Sequence, residues 1–245
     1  MAHIANPDSQ LTAVKWRFPS VHPEGRKYVV ISGFIAFFLL ILESEFAEVL
    51  AWLMIGLTIW VAAFFRDPVR TTPTDPRLIV SPADGLVTMI TRVPAPPELR
   101  ADLGEGEFTR VSIFMSVFDV HINRTPIAGV VRRIAYVPGK FINADLDKAS
   151  EDNERQHFVV EGDNGVKIGF TQIAGLVARR ILSFVREGDR VGTGARVGLI
   201  RFGSRVDVFL PAGTGSRLLL GQRAIAGETI IAELGTDPLL SGSSQ

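Results

Sequence analysis

Two long apolar runs stand almost end to end near the start of the chain. Tyr28 to Leu42 carries no charge, and Phe46 to Phe65 carries only Glu48, near its beginning. Glu43-Ser44-Glu45 alone separates them. A soluble core seldom uses two such neighbours, so the pattern predicts a membrane-associated helical hairpin over 28–65 rather than a buried one. The second run is long enough to span. The first, at about 1.5 Å rise per residue, covers roughly 22 Å against a hydrocarbon core of ~30 Å, so a re-entrant hairpin is open beside a spanning one. Lys15, Arg17, Arg26 and Lys27 precede the first run, Arg66 and Arg70 follow the second, and the turn between holds only acids. The positive-inside rule then puts both outer ends in the cytoplasm.

Beyond the hairpin the pattern changes. A polar tail, 1–27, precedes it, and a proline- and threonine-rich linker, 66–77, follows. From 78 to 235 short runs of strand formers alternate with turn signals about every ten residues, which predicts a mostly β domain, a compact sandwich or barrel. Pro138 to Arg155 reads as a polar surface loop, and Phe158 to Phe170 as a hairpin turning at Gly162-Asp163-Asn164-Gly165. Ile173 to Val185 suits helix or strand. Residues 236–245 read as a disordered tail.

Composition removes several function classes. Lys plus Arg and Asp plus Glu both number 26, so no basic surplus points to nucleic acid. The absence of cysteine excludes disulfides, thiol nucleophiles and cysteine-held metals. The four histidines, at 3, 22, 121 and 157, are not spaced as a metal pair, so no metal is expected.

One stretch of the β region carries chemistry of its own. Val197-Gly198-Leu199-Ile200-Arg201-Phe202-Gly203-Ser204-Arg205-Val206-Asp207-Val208-Phe209-Leu210-Pro211 sets a Gly-Ser pair between two strand-length apolar runs. Glycine leaves its carbonyl open to attack, and the serine hydroxyl follows it directly. Serine is a weak nucleophile until a base takes its proton. A bulge or tight bend explains Gly-Ser equally well, and Gly215-Ser216-Arg217 repeats the triplet in an ordinary turn context.

A base is available in Phe118-Asp119-Val120-His121-Ile122-Asn123-Arg124-Thr125-Pro126, where His121 follows an apolar strand and enters a polar turn. Asp84, in Ser81-Pro82-Ala83-Asp84-Gly85, is a candidate to orient the imidazole as the acid of a Ser-His-Asp triad does, although Asp-Gly is also a routine turn pair. Asp119 is nearer in sequence but would share a strand face with His121 and point the same way. His157 is a second candidate base and, after a highly charged loop, is expected at the surface. Gly-x-Ser-x-Gly, Walker and Gly-x-Gly-x-x-Gly fingerprints are absent.

In order, Ser81-Pro82-Ala83-Asp84-Gly85, Val120-His121-Ile122-Asn123-Arg124-Thr125-Pro126, Asn153-Glu154-Arg155 and Phe202-Gly203-Ser204 resemble phosphatidylserine decarboxylases, in particular their short form, and the N-terminal hairpin matches too. The likeness runs from Pro68 to Leu234. Two positions depart from longer members. Leu-Gly-Ser-Thr is here Phe202-Gly203-Ser204-Arg205, and Phe118 stands where those members carry a second histidine, whose role is therefore not carried over.

The resemblance implies a pyruvoyl enzyme made by self-cleavage. His121, oriented by Asp84, would take the Ser204 proton, and the oxygen would attack the Gly203 carbonyl, replacing the amide by an ester. Elimination and hydrolysis would then release ammonia and leave a pyruvoyl group at position 204. Two chains, 1–203 and 204–245, would remain associated. The implied substrate is phosphatidylserine, the partner is the lipid bilayer, and the catalytic domain would lie on the cytoplasmic side of the cell membrane. Arg124 and Arg155 are candidates for the head group. Two other readings remain: a membrane-anchored serine hydrolase using the same three residues, and a non-enzymatic barrel-sandwich membrane adaptor.

Overall fold

A computed structural model describes residues 17–139, 152–175, 180–201 and 203–243. Most of the expected 138–155 loop and the centre of the ambiguous 173–185 segment lie outside the described residues.

The hairpin is present as two helices, α1 (Pro23–Leu40) and α2 (Glu45–Phe64). Helix α1 starts before the apolar run, because Pro23 suits a first helical turn and His22 accepts a hydrogen bond from the Glu24 amide. The Thr58 hydroxyl donates to Ser32 Oγ at 2.9 Å across the pair. Large apolar side chains remain exposed over both helices, among them Phe34, Phe37, Trp52, Leu53 and Ile59. A continuous surface of that kind is unstable in water. Among the described residues, α2, at 20 residues and mean hydropathy 1.9, is the one helix long and apolar enough to cross a bilayer.

The rest is mostly β. Strands β1 (Ser20–Val21) and β2 (Arg66–Asp67) pair across the base of the hairpin. The chain then lays down β3 (Leu78–Val80), β4 (Gly85–Pro94), a short helix α3 (Arg100–Leu103), β5 (Glu107–Met115), β6 (Ile122–Arg124), β7 (Gly129–Val137), β8 (Arg155–Glu161) and β9 (Lys167–Ala174). It continues through β10 (Ile181–Ser183), β11 (Arg190–Val191), β12 (Arg196–Ile200), β13 (Ser204–Leu210), β14 (Arg223–Ala224) and β15 (Ile230–Glu233). An eight-stranded antiparallel sheet has the order β11-β7-β8-β9-β13-β5-β4-β14; β10-β12-β6 and β15-β3 form smaller sheets.

One apolar cluster fills the space between these sheets, with Val111, Ile113, Phe158, Phe170, Val206 and Val208 from the large sheet and Ile79, Val197, Ile200 and Ile231 from the small ones. Phe158 and Phe170 stack at 4.9 Å between ring centres. The other face of the large sheet is partly covered by Leu99 and Leu103, which pack with Phe108, Val159 and Phe209. Residues 236–243 form no helix or strand, yet the Thr236 carbonyl accepts from the Gly215 amide at 2.8 Å.

Candidate active site

Ser204 is the first residue of β13, a strand in which every residue is buried. It pairs with Met115 on β5 on one side and Ala174 on β9 on the other. Gly203, just before it, has φ 54°, in the left-handed region that favours glycine, and a Cβ there would meet nothing within 4 Å. The glycine is therefore required by the backbone turn, not by crowding, and that turn delivers the chain into the middle of the sheet. The Ser204 hydroxyl reaches Met115 Sδ at 3.5 Å, a weak acceptor that leaves the oxygen lone pairs uncommitted.

His121 enters from the loop between β5 and β6. Its carbonyl accepts from the Ile200 amide at 3.4 Å, which ties it to the end of β12, and the chain goes on from Ile200 to Gly203. Asn123 connects the same elements, with Nδ2 3.5 Å from Met115 Sδ and Oδ1 accepting from Gln172 Nε2 at 2.7 Å. The imidazole is fully buried, and the ring of Phe64, the last residue of α2, lies 4.2 Å from its centre. Nδ1 is 3.0 Å from the Asp119 carbonyl oxygen. A carbonyl only accepts, so the proton belongs on Nδ1 and the lone pair on Nε2. Nε2 is buried and has no hydrogen-bond partner among the described residues. Burial pushes the His121 pKa down to about 4, only partly opposed by Asp119, so the ring is a neutral base at pH 7.

Asp84 lies in the turn between β3 and β4. Gly85 is needed there because a Cβ would fall 2.1 Å from the Phe114 carbonyl oxygen. The carboxylate accepts from Arg70 Nη2 at 2.6 Å and from the Ala226 amide at 2.8 Å. Burial raises its pKa against the pull of Arg70. It does not hydrogen-bond to His121, whose Nδ1 is held by Asp119 instead. The two are linked indirectly: the Pro82 carbonyl accepts from the Arg124 amide at 2.9 Å, joining the Asp84 turn to the strand that follows His121.

The remaining expectations divide. Asp119 contributes through its backbone, while its carboxylate binds the Ser116 amide and hydroxyl and the Arg223 guanidinium. His157 is not at the surface: it is 1% exposed, because β8 is an interior strand covered on that face by the segment before β5. Arg124 is spent on the Gly194 and Pro68 carbonyls, and Arg155 pairs with Glu98 on the far side of the sheet. Phe118 is exposed, and its carbonyl accepts from Arg66 Nη2 at 2.8 Å.

Sequence reasoning missed Phe64, Arg66, Arg70 and Met115. Phe64 was hidden among the apolar residues of the hairpin, and nothing local marks it as a neighbour of His121. The hairpin base is clamped to the site at a second point: Arg201, two residues before Gly203, pairs with Glu24 of α1 at 3.1 Å.

The family profile for phosphatidylserine decarboxylase matches residues 57–232. The phosphatidylserine decarboxylase proenzyme of Novosphingobium aromaticivorans is 60% identical over 237 residues, 94% of this chain and 93% of that protein. Those of Erythrobacter litoralis and Zymomonas mobilis are 58% and 56% identical, each covering 94% of this chain. The matched region takes in Asp84, His121 and Ser204 together with the last part of α2, and the chain belongs to the phosphatidylserine decarboxylase family.

Proposed function

We propose that this chain removes the serine carboxylate of phosphatidylserine as CO₂, leaving phosphatidylethanolamine, after cutting itself between Gly203 and Ser204. The observation that carries the reading is the start of β13. A buried serine follows a left-handed glycine, and the nearby elements supply a neutral histidine with an unused lone pair. His121 Nε2 takes the Ser204 proton as the oxygen adds to the Gly203 carbonyl; the C–N bond breaks, the amine takes up the proton, and an ester joins the two chains. Asp84 is a positioning residue in this scheme. It fixes Arg70 and the turn that Pro82 ties to the His121 strand.

The surroundings suit a pyruvoyl group at position 204. A new chain end there would be wholly buried between β5 and β9, and an ammonium so placed would be an unpaired buried charge. A neutral ketoacyl end avoids that cost. Such a group supplies an electron sink for loss of CO₂. The chain's own part is to hold the site dry with Phe64 and Met115 and to keep a proton acceptor at His121 Nε2. Fragments 1–203 and 204–245 stay together because β13 is bonded on both edges. The exposed apolar hairpin docks the molecule on a bilayer with both outer ends cytoplasmic, and its base brings the lipid surface to His121.

Intact mass under denaturing conditions tests this, with wild type beside Ser204→Ala and Asp84→Asn. The expected result is two wild-type chains split after Gly203, the smaller with a blocked, ketone-reactive end. Ser204→Ala should stay whole, and Asp84→Asn should process slowly. A single wild-type chain with phosphatidylserine turnover intact would sink the self-cleavage mechanism, and Asp84→Asn processing at the wild-type rate would remove Asp84 from it.

A further inference from the structure

The reverse face of the central strand has its own chamber. Successive strand residues point to opposite faces, so Asp207 and Phe209 face away from the side that Ser204, Val206 and Val208 occupy. There they meet Arg110 of β5, His157 of β8 and Thr171 of β9 around a cavity of about 510 Å³, closed over by the Pro94–Arg100 segment. The volume is in the usual range for a small-molecule site, ~300–1,000 Å³. None of these groups takes part in the Ser204 chemistry.

The wall is cationic. Arg110 is buried, Arg155 half-buried and Arg100 at the exposed rim, and they line it against Glu98 and Asp207. Asp207 is already matched by Arg205, Nε to Oδ1 2.9 Å, an ion pair with both side chains at most 2% exposed. Glu98 is a second acid facing the chamber's basic groups. Its Oε1 accepts from Arg155 Nη2 at 3.1 Å, and its Oε2 stands 3.7 Å from His157 Nε2. The latter is too long for a hydrogen bond, and among the described residues His157 Nε2 is buried without one, although Nδ1 lies 2.8 Å from the Thr171 hydroxyl. Glu98 sits on a one-turn 3₁₀ segment, Pro97–Leu99, with its side chain 24% exposed, so it can swing out at little expense.

We propose that this chamber binds a small organic anion, a phosphate or carboxylate on a compact apolar body. The oxyanion takes the place of the Glu98 carboxylate between Arg155 and His157, where a guanidinium fork and an imidazole nitrogen meet it. The body lies against Val93, Pro96, Pro97 and Phe209. The site is separate from the decarboxylation site and does not depend on self-cleavage.

Calorimetric titration of phenyl phosphate, phenylacetate and inorganic phosphate into the full-length processed protein in detergent tests it. Phenyl phosphate or phenylacetate should saturate, and whichever binds more tightly names the oxyanion. Inorganic phosphate should bind at least about tenfold more weakly, because it lacks the apolar body. Glu98→Gln removes the competing carboxylate and should tighten binding about threefold or more; Arg155→Met should weaken it about tenfold or more. The Glu98 variant keeps the test decisive if Arg155→Met folds poorly, since a loss of structure does not tighten binding. Absence of saturable binding overturns the proposal. So does binding that is blind to both substitutions, or binding that phosphatidylserine micelles displace competitively, because the anion would then occupy the decarboxylation site.

Discussion

Two buried histidines invite comparison, His121 just before β6 and His157 on β8, and burial pushes each pKa to about 4. His121 lies against aromatic carbon, with one hydrogen bond to a backbone carbonyl. His157 lies among Thr171, Glu98, Arg155 and Asp207. The pKa shift alone does not separate them, since desolvation is the main cause of both. What separates them is the company of Nε2. At His121 it lies in an enclosure walled by the Phe64 ring, and at His157 it faces a carboxylate among arginines. A perturbed pKa marks a candidate group; the adjoining acceptors and nucleophiles decide what the group can do.

The largest expected effect breaks the comparison outright. His121→Gln keeps much of the ring's volume but has no basic nitrogen, and self-processing should slow by about 10²–10⁴-fold. Thr171→Val removes the hydroxyl that fixes His157; it should lower stability by about 1–2 kcal/mol and leave processing within about threefold of wild type. The half-time of chain splitting in freshly translated protein, beside a thermal melt, reads both. Equal slowing in the two variants would mean that the two histidines are not chemically distinct.

A smaller effect concerns acid. Each histidine has a folded pKa below its ordinary 6.5, so the unfolded chain binds more protons between about pH 4 and 6.5. Stability from these groups is therefore fully present above pH 6.5 and is lost as pH falls towards 4. Processing should follow the neutral fraction of His121 alone, staying flat from pH 8 to about 5 and falling below that. His157→Gln should make the acid loss of stability shallower without moving the pH at which processing fails. A processing midpoint near 6.5 would show that His121 is hydrated in solution and would undo the account of its burial.

The parts legible in sequence are those set by local pattern. The hairpin showed in its apolar runs, the β domain in its strand-length alternation, and Ser204 and His121 in their positions at strand ends. The parts that were not legible depend on which strands become neighbours. His157 follows a charged loop, which suggests exposure, but β8 lies between β7 and β9 and its outer face is roofed by a segment some sixty residues earlier. The acceptor at His121 Nδ1 is a backbone carbonyl, which no side-chain motif encodes. Asp84 has the right type for a triad acid, yet its oxygens go to Arg70 and Ala226, a partnership between the linker and the strand pair near the C-terminus.

The finest test compares two aromatic rings of equal size. Phe64 stands over His121, whereas Phe158 stacks on Phe170 inside the core. Each replacement by leucine keeps the position apolar and should lower stability by roughly 1–2 kcal/mol through lost packing. Only Phe64→Leu opens the enclosure around the imidazole. Water admitted there lessens the desolvation that holds the pKa near 4, so the acid limb of processing should move up by about half a unit, towards 6.5. Phe158→Leu should leave that limb in place. The difference between the two profiles isolates the contribution of α2 to the chemistry, because Phe64 is its last residue. If the profiles coincide, the hairpin serves only to dock the domain, and the dryness of His121 comes from the β domain alone.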